Sequence, residues 1–214
     1  MNALALTSIT YIMSGNHAAL TTQIDELLTL ADEKGSVLWK AVGTWTQAWL
    51  CAVSGKSAEA VQMLTLAMSM FRSTGATLFA PTQSSSLADA YAKLGQFDDA
   101  TRTISEAISV MAASRETWFE AEVNRIAGEI ALNSSERDTA KAQAYFERAL
   151  AVARQQQAKS WELRAAMSMT RLWRDQGKRD EARELLAPVY GWFTEGFDTL
   201  DLKEAKALLD ELSS

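Results

Sequence analysis

The sequence has little of what several protein classes depend on. Its 214 residues include one cysteine, two prolines and ten glycines. A single cysteine cannot form an internal disulfide, so the chain is not a disulfide-stapled domain. So few prolines and glycines also disfavour a turn-rich β-sandwich or a disordered linker protein.

The chain also lacks an excess of positive charge and a long apolar run. Its formal net charge is −6, which disfavours a general binder of nucleic acid or of anionic membranes. No apolar run approaches the ~20 residues that span a bilayer. Residues 1–13 are fairly apolar but lack the basic start and the cleavage site of a signal peptide. We therefore expect a cytoplasmic protein that binds neither nucleic acid nor membrane.

The clearest pattern in the sequence lies in residues 87–107, which predict a helix, a tight turn and a second helix. Leu87 and Tyr91 recur at helical spacing, and Gly95 is typical of a left-handed helix end. Phe97 is expected in the turn. The stripe of the second helix consists of Ala100, Ile104 and Ala107.

The same spacing recurs along the chain about every 40 residues. The positions equivalent to Ala100, Ile104 and Ala107 are Leu20, Ile24 and Leu27; Ala60, Leu64 and Ala67; Ala142, Phe146 and Ala149; and Ala182, Leu186 and Val189. No strand-like alternation accompanies them. A repeated helical unit with this pattern predicts an all-α solenoid.

These residues resemble the tetratricopeptide pattern, in which a leucine and a small residue, a tyrosine and a glycine precede Ala-x3-Phe-x2-Ala. The period of about 40 exceeds the usual 34, so longer helices are expected. The resemblance implies a right-handed α–α superhelix of about five helix pairs, whose concave face is built by the first helix of each pair.

We predict a single repeat domain over residues 1–214. Its repeats are expected at residues 1–35, 36–75, 76–114, 115–157 and 158–191, with a capping helix at 198–212 that buries Leu200, Leu202, Ala205, Leu208 and Leu209. The first helix has no such cap. Its open apolar face indicates either a further N-terminal portion, which we prefer, or a homodimer through the N-terminal repeat.

Side chains that could carry out chemistry are isolated from one another. His17 has no second histidine or cysteine near it, and Cys51 has no base beside it. The run Ser84–Ser86 has no histidine or lysine at helical spacing and is expected to be ordinary polar surface. We therefore predict a protein that is not an enzyme and has no metal and no cofactor.

The first helices carry two patterns that indicate a partner-binding surface. Trp45 and Trp49 are one helical turn apart, and aromatic side chains often anchor partners. Arg164 and Arg171 share one stripe and could grip carboxylates or phosphates. Ion pairing with glutamates on a solvated helix face is the alternative for the arginines. The candidate binding residues are Trp45, Trp49, Asp89, Lys93, Asn124, Arg125, Arg164 and Arg171.

The C-terminal half is similar to a particular kind of repeat region. The stretches that carry the similarity are residues 120–125, 161–166, 172–178 and 181–199. They resemble the helical-repeat tails of large bacterial proteins that join an adenylate or guanylate cyclase domain to an AAA-type ATPase, and of related transcription regulators. The resemblance implies a regulatory module. The phosphate loop and the cyclase carboxylates of that family are missing, so those activities do not carry over.

Two functions follow from these patterns. The first is a non-catalytic scaffold that binds a protein or peptide in a signalling or transcription-control system. The second is a sensor domain for a small anionic ligand that regulates a cyclase or ATPase domain encoded elsewhere. An open groove would favour the peptide, and a closed pocket near Arg125 and Arg171 would favour the small molecule.

Overall fold

The computed structural model describes residues 1–213, apart from the side chain of Met13, and all regular structure in this range is helical. Its eleven helices are α1 Asn2–Ser14, α2 His17–Glu33, α3 Val37–Val53, α4 Ser57–Ser73, α5 Ala80–Lys93, α6 Phe97–Ser114, α7 Glu120–Asn133, α8 Thr139–Gln155, α9 Lys159–Asp175, α10 Arg179–Gly191 and α11 Leu200–Leu212. The all-α prediction is confirmed.

The helices form two compact units, Met1–Ser114 and Arg115–Ser214. In the first unit α3 packs on α4 and α5 on α6, while α3 also contacts α5. In the second unit α7 packs on α8 and α9 on α10, and α11 contacts both α9 and α10. Each unit therefore consists of successive helix pairs, and a single domain over the whole chain stays a prediction.

The repeated apolar stripe forms the contacts between the helices of each pair. Ala60, Ala100, Ala142 and Ala182 are all fully buried, and so is Phe146. Small side chains at these places let neighbouring helices approach closely, while the larger residue four positions later fills the space between them. The predicted core register is confirmed.

The turn between α5 and α6 depends on Gly95. Its φ of 74° is accessible to glycine without a steric penalty. The amide of Gln96 donates to the carbonyl of Tyr91 at 3.0 Å, and the amide of Gly95 donates to Ala92 at 2.9 Å. This arrangement satisfies carbonyls that the end of α5 would otherwise leave unpaired.

Three details differ from the sequence expectations. Phe97 is the first residue of α6 and does not lie in the turn. The helical pattern of the sequence begins at Leu78, with Pro81 expected in the first turn, but α5 begins only at Ala80, because the preceding Phe79 adopts a φ of 66°. Pro81 does lie in the first turn. In α11, Leu200 is exposed although it was predicted to be buried, whereas Leu212 is buried. The side of α11 that contains Leu212 faces α9 and α10.

Candidate functional site

The two predicted tryptophans of the first unit lie on α3 in different surroundings. Trp45 is buried and belongs to the apolar cluster that includes Leu87 of α5. Trp49 is half-buried, and its ring meets the imidazole of His17 edge to face, with 5.9 Å between the ring centroids. Trp45 therefore contributes to the contact of α3 with α5, while Trp49 keeps an accessible face.

The serine run on α5 is not the polar surface that the sequence indicated. Ser84 and Ser85 are buried, because α5 packs against α3, α4 and α6 and is enclosed on several sides. The hydroxyls of Ser85 and Ser86 each donate to the carbonyl of Thr82 at 2.9 Å. These two serines thus satisfy their own hydrogen bonds inside the helix.

Three other polar side chains in the same region have no such partner. The indole Nε1 of Trp45, the hydroxyl of Thr82 and the amide Nε2 of Gln83 are buried without a hydrogen bond to any residue in the described range 1–213. A buried unpaired donor costs about 1–3 kcal/mol. Such groups are rare in native proteins, and each one calls for an explanation.

The sequence contained a weak signal for two of these donors. The run Pro81–Ser86 is polar, and the apolar stripe of α5 begins only at Leu87. In a helix covered by three neighbouring helices, the polar groups of such a run must either form hydrogen bonds within the protein or remain available to a ligand or water. Thr82 and Gln83 were nevertheless missed, because polarity alone indicates a solvated face.

Asp89 and Lys93 lie further along α5 and pair with each other. The carboxylate of Asp89 is 2.8 Å from the Lys93 ammonium, one helical turn away, and both side chains are partly exposed. An exposed pair of this kind contributes little to stability. It places both charges at the surface, where a partner could reach them.

In the second unit, Asn124 and Arg125 are held by their own helix. Asn124 is buried, and its amide donates to the carbonyl of Glu120 at 2.8 Å. The guanidinium of Arg125 donates to both carboxylate oxygens of Glu122 at 2.8 Å, and it lies 3.5 Å from Glu129. Arg125 therefore forms the ion pairs with neighbouring glutamates of the predicted alternative, but its pair with Glu122 is largely buried and does not lie on a solvated face.

Arg164 and Arg171 of α9 pair mainly with the C-terminal helix. The Nε of Arg164 donates to Asp201 at 2.7 Å, and its Nη1 lies 3.7 Å from the Glu122 carboxylate. Arg171 donates to Glu204 at 2.9 Å. Glu122 thus brings Arg125 and Arg164 together, whereas Arg171 belongs to a separate pair, and each of the three arginines has a carboxylate partner.

Glu162 forms a further buried ionic contact at the start of α9. It accepts hydrogen bonds from Lys159 at 2.6 Å and from Arg154 at 2.9 Å. Burial by itself would raise the pKa of this carboxyl, but the hydrogen bonds from Lys159 and Arg154 outweigh it and hold the pKa below the ordinary value. Glu162 therefore remains ionised in the folded protein at neutral pH.

We expect Glu162 to stabilise the second unit only above acidic pH. Because its pKa is lower in the folded state, its contribution is present above the unfolded pKa and is lost as the pH falls through the folded value. Glu162→Gln should lower the free energy of unfolding by about 1–2 kcal/mol at pH 7, and the difference from wild type should vanish in acid. Thermal unfolding from pH 7 down to pH 3 measures this, and a pH-independent difference would contradict it.

The described residues contain neither a metal-binding cluster nor a membrane-spanning helix. No group of three or more histidine, cysteine, aspartate or glutamate side chains in residues 1–213 is placed to hold a metal ion. In the same range, no helix combines the length and the apolar character that crossing a membrane requires.

Comparison with known proteins identifies the fold. The chain is similar to the apo form of the quorum sensor NprR from B. thuringiensis, with a TM-score of 0.67 and 13% identity over 98% of this chain. NprR in complex with its cognate peptide NprX gives the same TM-score and identity over 99% of the chain. The chain spans only 58% and 60% of the length of those two NprR chains.

A second kind of solved structure supports the same conclusion. The nearly identical TPR-like repeats of a Podosopora anserina kinesin light chain have a TM-score of 0.57 and 14% identity, over 98% of this chain and 95% of that one. No protein-family model matches the sequence, and it matches no curated protein. The chain therefore has the fold of tetratricopeptide-like solenoids.

Proposed function

We propose that this chain is a non-catalytic repeat module that binds a peptide or an extended protein segment through α3 and α5. The observation that carries this proposal is the set of buried, unpaired donors on two helices in contact: Trp45 Nε1, Thr82 Oγ1 and Gln83 Nε2. A peptide backbone presents carbonyl oxygens at regular intervals and could accept such hydrogen bonds. Because the three donor atoms are enclosed in the free chain, binding requires that their side chains turn toward the ligand.

Neighbouring side chains suit the same ligand. Trp49 offers a half-buried aromatic face next to the buried Trp45. Aromatic side chains in such surroundings are common hot spots of binding surfaces. Asp89 and Lys93 provide one charge of each sign further along α5. We propose that these two residues contact the ends or the polar side chains of the bound segment.

The alternative, a small anionic ligand held by arginines, has less support. Arg125, Arg164 and Arg171 each bind a carboxylate of the chain itself, at 2.7–2.9 Å. An incoming anion would have to replace those carboxylates. Asn124, the remaining candidate of the second unit, donates its amide to its own helix. These four residues therefore take no part in the peptide site that we propose.

We further propose that peptide binding regulates another domain or protein. The fold shared with NprR, a quorum sensor solved with its cognate peptide, supports this. The resemblance of the C-terminal half to the tails of cyclase–ATPase proteins points the same way, but no family model or curated protein matches the chain. We also propose a cytoplasmic location, which the single cysteine supports. A regulated partner whose activity is the same with and without bound peptide would contradict the regulatory role.

A homodimer through the N-terminal repeat is a separate proposal. Helix α1 packs on α2 and α3, and Leu4 and Ala5 contact the apolar cluster of that region. Leu6 of the same helix is 53% exposed. Sedimentation equilibrium tests the proposal, because Leu6→Glu should convert a dimer to a monomer, and a wild-type chain that is already monomeric would refute it.

The peptide site predicts variants that lose binding without losing stability. Gln83→Met keeps the length and shape of the side chain but removes the unpaired donor, so the free energy of unfolding should be unchanged or higher. Loss of one hydrogen bond of about 0.5–1.5 kcal/mol should weaken a bound peptide roughly 2- to 13-fold. An array of random-sequence peptides, followed by titration of the best binder, measures this.

Thr46→Val is the matched control for this experiment. Thr46 is also buried, on α3, but its hydroxyl already donates to the carbonyl of Val42 at 2.9 Å. Its replacement should therefore change stability and leave peptide affinity intact. If the wild-type chain retains no peptide from the array, or Gln83→Met binds the selected peptide like wild type, the proposed site is wrong.

A further inference from the structure

Helix α3 presents an apolar stripe that becomes more accessible toward its C-terminal end. Trp45, Trp49 and Val53 are spaced four residues apart and therefore lie on one side of the helix. Trp45 is 8% exposed, Trp49 is half-buried and Val53 is 41% exposed. Unlike the three enclosed donors, Trp49 and Val53 can therefore contact a ligand without a rearrangement of the free chain.

The accessible part of this stripe is ordered before any ligand binds. The imidazole of His17, the first residue of α2, meets the Trp49 ring edge to face, with 5.9 Å between the ring centroids. Val53 is β-branched and has few rotamers. Side chains that are already fixed lose little conformational entropy on binding. Trp49 and Val53 therefore form a pre-ordered surface, which we call the α3 apolar surface.

Charged side chains are nearly absent from the helices that carry this stripe and pack beside it. α1 and α3 have 13 and 17 residues and contain one charged side chain, Lys40. Lys40 pairs with Asp32 at 2.6 Å and lies before Trp49 by about 13 Å along the helix axis. In the turn after α3, Lys56 lies 3.9 Å from its partner Glu59. Both lysines that flank the stripe in the chain thus have a carboxylate partner.

The corresponding positions of later helices carry charge instead. In the repeat register, the place of Trp49 is taken by Asp89 in α5, Glu129 in α7 and Arg171 in α9. Each of these three forms an ion pair within the chain. An ionised group that is buried against an apolar surface without a partner is costly. Of these four helices, only α3 therefore favours an uncharged side chain at this position.

We infer that the α3 apolar surface selects a large uncharged side chain, aliphatic or aromatic, of the bound peptide, a selectivity that rests on the proposed function. This side chain, the anchor of the peptide, gains buried apolar area against Trp49 and Val53. An aspartate or a lysine at the same place would lose water without gaining an ionic partner. The segment that the site takes is thus an extended peptide with an apolar anchor on α3.

The first test finds the anchor in a peptide that binds the full-length chain. The probe is the best binder from the array of random-sequence peptides, made again with each residue changed in turn to leucine, aspartate and lysine. At one position, leucine should bind about tenfold or more tightly than either charged residue. Fluorescence anisotropy measures the affinities, and a binder without such a position would overturn the inferred selectivity.

The second test assigns the anchor to α3 by placing a charge there. Val53→Lys should be tolerated, because Val53 is 41% exposed. It should improve the aspartate probe relative to the leucine probe about tenfold, because the new ammonium group supplies the missing ionic partner. Leu66→Lys is the matched control, since Leu66 is 55% exposed on α4, outside the proposed site. It should keep the wild-type preference.

The outcomes distinguish this selectivity from the proposed function. A wild-type chain that binds no peptide refutes the proposed function itself. Peptide binding with a preference that Val53→Lys leaves unchanged, or that Leu66→Lys changes equally, refutes only the selectivity of α3.

A milder substitution keeps the test decisive if thermal unfolding shows that Val53→Lys does not fold. Val53→Thr keeps the shape of the side chain but replaces a methyl group by a hydroxyl. It should weaken the leucine probe about threefold and leave the aspartate probe at its wild-type affinity. An equal effect on both probes would contradict an apolar anchor on α3.

Discussion

Replacing Phe146 by alanine is expected to lower the free energy of unfolding of the second unit by about 3–5 kcal/mol. The ring is fully buried between α7 and α8 and belongs to the largest apolar cluster of that unit. Its removal forfeits the burial of the ring and leaves a cavity that the surrounding helices can fill only in part. Urea unfolding followed by circular dichroism measures the loss.

The large loss expected for Phe146→Ala reflects the close packing of α7 against the Phe146 ring, and this packing depends on Gly128. A Cβ atom at Gly128 would lie 2.4 Å from Cε1 of Phe146, so Gly128→Ala should also destabilise the unit despite the better helix propensity of alanine. Gly191→Ala is the matched control, because its Cβ would meet nothing within 4 Å.

The pair also permits a test of the contact itself. Combining Gly128→Ala with Phe146→Leu should cost less than the two single losses added together, because the smaller side chain leaves room for the new methyl group. Additive losses would show that the ring and the glycine are not in the predicted contact.

Glu122→Gln is expected to cost the second unit about 2–3 kcal/mol. Its carboxylate is buried and binds both Arg125 and Arg164, and removing one partner of a buried ion pair leaves a charge uncompensated. The loss should fall below the ~3–5 kcal/mol of a fully buried pair, because both arginines are about one-fifth exposed and keep Glu129 and Asp201 as partners.

Lys206→Gln provides the comparison for this prediction. It breaks the exposed pair with Asp210 and should change the free energy of unfolding by no more than ~0.5 kcal/mol. If Glu122→Gln is equally mild in urea unfolding, the Arg125–Glu122–Arg164 cluster is a surface feature and does not hold α7 to α9.

The repeat architecture was accessible from the sequence because its determinants are local. Gly55 and Gly95 both mark turns with positive φ, and Ala100, Ile104 and Ala107 mark one buried side of a helix. Helical periodicity and helix-ending glycines act over a few residues, so they can be recognised without knowing which helices are neighbours.

The candidate site could be predicted only in part, because its environment is created by packing. Trp45 and Trp49 were found from their spacing on α3. The unpaired donors of Thr82 and Gln83 were not found, because only the enclosure of α5 by three helices removes them from water. The same enclosure buried Ser84 and Ser85, which the polarity of the run had indicated to be surface.

The arginines of α9 show which features the sequence determines and which only the tertiary structure determines. The sequence by itself determined that Arg164 and Arg171 share one stripe of α9, since that follows from helical geometry. Only the tertiary structure decided that Asp201 and Glu204, 37 and 33 residues further along the chain, lie opposite them. Which charges meet depends on how α11 is placed by its buried leucines, and the apolar contact that places it is formed only when α9, α10 and α11 fold together.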